Sequence, residues 1–476
     1  MATTIPRLTD ATTVNAADEL IIQQGGITKR ATASELAAGV NNVSGVFNVK
    51  SFGALGNGTT NDLAAFQAAI AAAAGKTVYV PSGTYLISFA TTTALGLSNN
   101  TRIKGDGAAS TTLVFQGSES FWRAISGGEN CFLCDFTIKL EPATGQEGIA
   151  VRWQNNNLSL SNIFIIGGAE AAGGAFSKTG HGIQFAGSPA SFSGLSVNKC
   201  KFSQCAFPFL KSNSTTSINS NIAIDGCTFT NNFREDVSLN GPNGNISNVT
   251  ITNNLFDSNV GLVAGLDAIA IALANCDNYS VIGNVVRGSY RDGIHLEEGA
   301  DNGTISNNVL IFDIANNGGG ISLLEANQEG LPSATLNRNI TISSNVITHT
   351  GTAKATNRIG IWCIYNSSPT KPVQNVSITN NICNNVQYAY IVDVGASSSV
   401  TLRNNRASNC FQAARIYGSY VPVSGMDAID CDTYITAADG GSFLLPNYAD
   451  DAAAATGGIP IGGQYRDGSI TKVRVA

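Results

Sequence analysis

Charge is scarce in this chain of 476 residues: Lys and Arg number 27, Asp and Glu 33, and charged residues make up 13% of the total. That is about half the usual quarter. With 43% apolar residues the chain is not disordered, because disorder needs low hydrophobicity and high net charge. No Lys/Arg-rich stripe exists to neutralise phosphates, and the net charge is −6, so nucleic acid is excluded as a partner. Histidine occurs three times, and Cys131 and Cys134 form the only CxxC. With no second pair at zinc spacing, no structural metal is expected. Ten cysteines in so long a chain do not make the disulfide framework of a short secreted domain. They read as buried free thiols of a chain made in the cytoplasm. No run of about 18 uncharged apolar residues occurs, so no membrane insertion is expected. Met1-Ala-Thr-Thr-Ile-Pro-Arg7 lacks the basic region and apolar core of a signal peptide.

What is abundant is glycine, at 51 residues, and asparagine, at roughly one residue in ten. The asparagines fall in a period. Asn248-Val-Thr-Ile-Thr-Asn-Asn254, Asn278-Tyr-Ser-Val-Ile-Gly-Asn284 and Asn302-Gly-Thr-Ile-Ser-Asn-Asn308 share one pattern. It continues at Asn339–Asn345, Asn375–Asn381 and Ser399–Asn405, while Cys227 and Cys200 keep the phase upstream. Between these words lies a second short strand of the form acid or polar, small, core, outward, core, outward. Glu147-Gly-Ile-Ala-Val-Arg152, His181-Gly-Ile-Gln-Phe-Ala186, Glu235-Asp-Val-Ser-Leu-Asn240, Asp267-Ala-Ile-Ala-Ile-Ala272 and Asp292-Gly-Ile-His-Leu-Glu297 are examples, and the series runs on to Gln412. One step averages about 29 residues, the spacing of a stacked repeat architecture.

Two or three short strands per step, no intervening helix and Gly or Asn at each corner predict a parallel β-helix, each turn roughly 4.8 Å above the last. Right-handedness follows the general rule for parallel crossovers. About 12 turns are expected between residues 46 and 420, a length of roughly 55 to 60 Å. The asparagine column is placed inside, bonding along the stack. A helix over 62–74, with Asn61 as its N-cap and Leu63, Phe66, Ile70 and Ala73 on one face, closes the first turn. Residues 1–45 form a small leader with a Glu19–Gln23 strand, a Gly25-Gly26 turn and a capping box at Thr32–Glu35. Residues 421–476 form a C-terminal extension. Neither piece is large enough to bury a core alone, so both are expected to stabilise on partners or within an oligomer.

The outward positions carry the candidate chemistry. At the first position, consecutive turns present Glu235, Asp267 and Asp292, and His295 and Glu297 project from the last of these. Adjacent turns would hold two such carboxylates near the separation of a retaining glycosidase pair. Glu235 and Asp292, two turns apart, lie at or just beyond the upper limit for an inverting pair. Mutual repulsion would raise the pKa of one member. Arg234 and Arg291 precede two of the acids and either neutralise them or hold an acidic sugar. Trp362, two turns beyond His295, offers an indole to a sugar ring. The same residues also fit a structural reading. Acids before small residues form turns, and Trp362 beside Ile364 suits a buried interface. No dense cluster of oxygen ligands for calcium stands out, and no cofactor is expected.

Val49-Lys-Ser-Phe-Gly-Ala-Leu-Gly-Asn-Gly-Thr-Thr-Asn-Asp62, Phe66-Gln-Ala-Ala-Ile70 and Val78-Tyr-Val-Pro-Ser-Gly-Thr-Tyr85 resemble the entrance of the pectate-lyase-like superfamily. Asn57 and Asn61 stand where aspartates are commoner. The resemblance covers roughly residues 46–420 and implies an all-β fold, a right-handed single-stranded parallel β-helix. Ala17–Thr32 looks like the virion-attachment leader of phage tail proteins, and Gly457–Arg474 like a tag on phage structural proteins. Together these imply a bacteriophage tailspike. The implied assembly is a homotrimer in the virion tail, attached to other tail or baseplate proteins through residues 1–45. Gly180-His-Gly182 is similar to a polygalacturonase element, but the aspartate pair and Arg-x-Lys that accompany it there are missing. Two functional readings stand. One is recognition of a host surface polysaccharide with cleavage by paired carboxylates; the other is a non-enzymatic adsorption or structural spike with the coil as a rigid arm.

Overall fold

The computed structural model describes residues 19–24, 27–32, 45–172, 175–185, 191–211, 218–240, 246–258, 268–288, 290–297, 299–313, 318–324, 338–350, 358–364, 373–394, 399–418, 421–438, 452, 464–467 and 470–473. The Gly25-Gly26 turn, the Thr32–Glu35 capping box beyond Thr32, the carboxylate position at Asp267 and most of the extension past residue 438 lie outside them. The chain divides into two compact units, Met1–Ser212 with Gly226–Asn232, and Asn213–Asp225 with Phe233–Ala476. Both are runs of a right-handed parallel β-helix.

In the first unit one sheet stacks Thr93–Leu97, Phe121–Gly127, Glu147–Trp153, Ala175–Phe185 and Phe209–Lys211 in parallel. A second face runs through Thr77–Val80, Arg102–Gly105, Cys131–Leu140 and Leu158–Ile166. Inward positions carry Val78, Ile103, Leu133 and Leu160, all buried. The entrance helix spans Leu63–Ala73 and buries Ala65, Phe66, Ala69, Ile70 and Ala73. Its N-cap position belongs to Asp62, one residue later than expected. Asn61 still bonds the first turn, accepting from the Leu63 backbone N–H at 3.1 Å, and it ties that turn to Ser88. Asp62 turns its carboxylate backwards to accept from Leu55 and Gly56. The helix stops where Ala74 and Gly75 take positive φ of 46° and 87°, the left-handed close of a helix C-terminus.

The second unit repeats the plan. Val237–Asn240, Ile269–Ala274, Asp292–Glu297, Gly318–Leu324, Arg358–Ile364, Tyr388–Val394 and Gln412–Gly418 stack in parallel, and pairing continues to Thr433–Ala438. The small residue at the second position of each strand has a steric cause. A Cβ at Gly293 would lie 2.4 Å from the Leu310 side chain and 2.7 Å from the Gly320 carbonyl. Turns therefore touch backbone to backbone at that corner.

Asparagine recurs in columns, of which two carry distinct tasks. Asn254, Asn284, Asn308, Asn345, Asn381 and Asn405 are all buried. The Asn308 side-chain oxygen accepts from both the backbone N–H (2.9 Å) and the amide (3.0 Å) of Asn284. Its own amide donates to the Val281 carbonyl at 2.9 Å and to Asn345 Oδ1 at 2.9 Å. The pattern recurs at each rung. In the first unit Cys227 takes the same place, its sulfur accepting from the Cys200 backbone N–H at 3.4 Å. The asparagines that open each word form an outer column. Asn221, Asn248, Asn278, Asn302, Asn339 and Asn375 have φ between 53° and 59°, the left-handed region that Asn tolerates better than other residues with a Cβ. Asn248 donates to Asn221 at 3.0 Å, and Asn339 to Asn302 at 2.8 Å.

Replacing Asn308 with alanine strands the Asn284 backbone N–H and the Val281 carbonyl. The expected loss is about 1 to 3 kcal/mol, read as a lower urea midpoint. An unchanged midpoint would mean that this column carries no structural load.

Candidate functional site

The site is built on the Asp292–Glu297 strand of the second unit. Its neighbours are Ile269–Ala274 on one side and Gly318–Leu324 on the other. Asp292 and His295 are both 4% exposed, and they are held together. Asp292 Oδ2 lies 2.9 Å from His295 Nδ1 and 3.4 Å from Arg291 Nε. Its other oxygen accepts from the Gly319 backbone N–H at 2.7 Å and from the Ser322 hydroxyl at 3.4 Å. On the far side of the imidazole, His295 Nε2 lies 3.4 Å from Glu297 Oε2. The histidine thus stands between two carboxylates, and the outer one, Glu297, is the more exposed at 25%.

Burial pushes the His295 pKa down, but the hydrogen bonds and charges of Asp292 and Glu297 outweigh it and hold the group up at about 9. Burial likewise works to raise Asp292, yet His295, the Gly319 N–H and Arg291 bring its carboxyl below the usual range. At neutral pH the pair is therefore an imidazolium against a carboxylate. With both ring nitrogens engaged, His295 orients its neighbours and has no lone pair to act as a base.

A buried arginine braces the corner. Arg358 is 0% exposed, donates to the backbone carbonyls of Arg291 (2.8 Å) and Tyr290 (3.2 Å), and lies 4.4 Å over the Phe312 ring. Burial lowers its pKa to about 10, against the pull of Asp292 and Asp313. Tyr290, itself buried, donates a short hydrogen bond to Asp236. Sequence reasoning found neither Arg358, Tyr290 nor Ser322. An arginine before an apolar strand carries no signal of burial, and the serine is one of many.

The expected ladder of acids is corrected by the register. Ile269 pairs with Asp292, and Ala272 and Ala274 pair with His295 and Glu297; Asp267 itself lies outside the described residues. Val237 pairs with Ile271, so Glu235 is two rungs from Asp292 with a neutral rung between. Glu235 and Arg234 are half-buried at their corner, where the fully buried acid is Asp236. Asp292, His295, Glu297 and Arg291 are brought together; Glu235 and Arg234 belong to a separate corner. Trp362 pairs with Ser322 and then with Ile391, continuing the outward column that starts at His295. In the first unit, His181 Nε2 lies 3.4 Å from Glu147 Oε1. Glu147 is in register with Thr179, a shift of two from the sequence alignment.

Stacked parallel strands with a charged outward strand define the pectate-lyase type of coil. Residues 46–322, more than half the chain, match the family described as rhamnogalacturonase A/epimerase, pectate lyase-like. The chain belongs to that family. Parts of it are similar to the pre-neck appendage protein of Bacillus phage B103, with 35% identity over 98 residues, 19% of this chain. A segment of 73 residues, 14% of the chain, is 47% identical to mannuronan C5-epimerase AlgE3 of Azotobacter vinelandii. These segments span 11% and 4% of the two relatives' lengths. The fold is shared with PfbA, a surface adhesin of Streptococcus pneumoniae, at TM-score 0.56 and 15% identity over 90% of this chain and 100% of that one. It is also shared with the N-terminal fragment of bacteriophage phi29 gene product 12, at TM-score 0.51 and 18% identity over 87% and 76% of the two chains.

The two pKa shifts set opposite pH limits. The raised His295 stabilises the fold fully below its unfolded value of 6.5, and that contribution fades as pH rises through about 9. It amounts to on the order of 3 kcal/mol. The lowered Asp292 contributes above 3.8 and loses its effect as pH falls through its folded value. Urea midpoints should therefore drop between pH 6.5 and 9.5, and His295→Gln should flatten that slope. An equal slope in the variant would assign the loss to other groups.

Proposed function

We propose that the protein is a phage tail spike that recognises an acidic polysaccharide on the host surface. The observation that carries this reading is the pairing in one chain of two segmental similarities, one to phage pre-neck appendage proteins and one to mannuronan epimerases. A coil of stacked strands suits both tasks, since it is a rigid arm whose outward columns repeat along its length. The contact surface we assign is the Asp292 strand and its corner. Arg291 is 36% exposed and its guanidinium suits a sugar carboxylate, and Trp362 lies further along the same column. Residues 1–45 are assigned to attachment to other tail or baseplate proteins, and the spike to a homotrimer in the virion. Light scattering on the full chain should report three copies, and deleting residues 1–45 should leave a soluble coil that no longer joins particles. A full-length monomer at micromolar concentration would overturn the trimer.

A second reading, cleavage of the bound chain, is favoured by the position of Glu297. Its carboxylate is the exposed end of a buried Asp–His relay, where an imidazolium stabilises charge without leaving the protein. Asp292 is too well bonded and too deeply buried to meet a glycosidic oxygen itself, so Glu297 is the carboxylate of this strand assigned to the substrate, as one member of the carboxyl pair that such cleavage requires. Incubation with host envelope polysaccharide should yield shortened chains. Glu297→Gln should slow this by two or more orders of magnitude while binding persists. If the unmodified protein binds the polysaccharide and leaves its length unchanged, the spike serves adsorption alone.

A further inference from the structure

The first unit carries a charged cluster that the Asp292 strand does not share. Phe121–Gly127 and Glu147–Trp153 are neighbouring strands of one sheet, with Phe121 opposite Glu147 and Ser126 opposite Arg152. The guanidinium carbons of Arg123 and Arg152 lie 5.3 and 5.7 Å from the centroid of the Phe121 ring. Both arginines are half-buried. In each, Nε is buried without a hydrogen-bond partner. Burial lowers the pKa of both, and the charge of Arg123 lowers Arg152 further, with Glu147 opposing. Glu147 is turned towards His181, 3.4 Å away, whose hydrogen bond holds its carboxyl below the usual range.

Two like charges that have lost part of their water around one ring cost free energy unless an anion sits between them. No carboxylate among the described residues takes that place for either guanidinium. A guanidinium offers five N–H donors in a planar fork that matches a carboxylate or a phosphate. Phe121 adds an apolar face beside the fork.

We propose that Arg123 and Arg152 form a binding site for the carboxylate or phosphate of an acidic glycan, with Phe121 as its apolar wall. The site names the ligand chemistry for a surface other than the Asp292 strand, and it stands whether or not that strand binds or cleaves.

Calorimetry at matched ionic strength, with trimeric mannuronate, inorganic phosphate and neutral maltotriose as probes, tests this. One of the two anions should bind and maltotriose should not; which anion binds distinguishes a uronic from a phosphorylated glycan. Arg152→Gln should weaken that binding at least tenfold. Because the substitution relieves repulsion, the ligand-free variant should melt at the same temperature or higher. Binding of neither anion, equal binding by the variant, or a lower melting point of the ligand-free variant would overturn the proposal, the last by making the pair a structural brace. Should the variant fail to fold, the unmodified protein decides: the binding anion must raise its melting point above that in chloride of equal ionic strength, and no rise refutes the site.

Discussion

Everything in this fold depends on how a corner is repeated. Parallel turns stack at the spacing of neighbouring strands, about 4.8 Å, so whatever a corner leaves unpaired is left unpaired again on the next turn. The inward carboxamide is the solution to that constraint. One asparagine oxygen accepts two N–H groups from the adjacent turn, and its two amide hydrogens go to a carbonyl and to the next asparagine. Each polar atom of that inward carboxamide is used. An apolar residue would fill the space and orphan the backbone, which is the costlier error. Cysteine manages a weaker version at Cys227, with one long N–H to sulfur contact, and so the ladder can change residue type without changing phase.

The same repetition makes charge dangerous. A carboxylate stacked on a carboxylate repeats its repulsion up the sheet: Asp277 and Asp301 stand in register, where burial and the Asp277 charge raise the Asp301 pKa against the pull of Arg338. Acids are also paired across turns, Asp257 with Arg287 and Asp301 with Arg338, whereas around His295 they are resolved along one strand. Asp292 and Glu297 share His295 between them, while the rungs on either side present Ala272 and Ala274, then Ser322 and Leu324. Arg358 completes the arrangement from within the next strand but one, since it fixes the carbonyls of the two residues just before Asp292. Its desolvation is offset by two carbonyl acceptors, an aromatic face and the nearby Asp292 and Asp313. Arg123 and Arg152, on neighbouring strands, each keep a buried Nε without a hydrogen-bond partner, which is why the pair stands out chemically.

Much of the fold was legible because periodicity is written in residue type. The inward asparagines, the small second position and the entrance helix each reflect a contact that only one or two side chains can make. Register was less legible, for a physical reason. Strand alternation repeats every two residues, so Asp267-Ala-Ile and Ile269-Ala-Ile present the same parity to the core. The length of the preceding corner decides between them, and corner lengths vary from turn to turn. Ile269 stands opposite Asp292, and a column of three acids read from the sequence becomes two acids with an isoleucine between. Glu147 and His181 shift by the same two residues. The Asp292, His295 and Glu297 grouping survived because it lies within one strand, where spacing needs no register. Arg358 was invisible for the opposite reason: its partners are main-chain carbonyls 67 and 68 residues away, and a carbonyl leaves no mark in a sequence.

On the function proposed above, the buried relay lets an acidic strand face an acidic ligand. An exposed carboxylate by itself would repel a polyanion. Here Glu297 is backed by an imidazolium that the Asp292 carboxylate keeps charged, and Arg291 stands beside that carboxylate at 3.4 Å. With two acids against one imidazolium and one guanidinium, the group has no net charge at neutral pH. It can therefore present a carboxylate for hydrogen bonding without an opposing field at longer range, where net charge governs approach. Raising the pH through the His295 transition removes the imidazolium and leaves the group negative. On that proposal, fold stability and tolerance of an anionic ligand are governed by the same proton, held between two side chains of one strand.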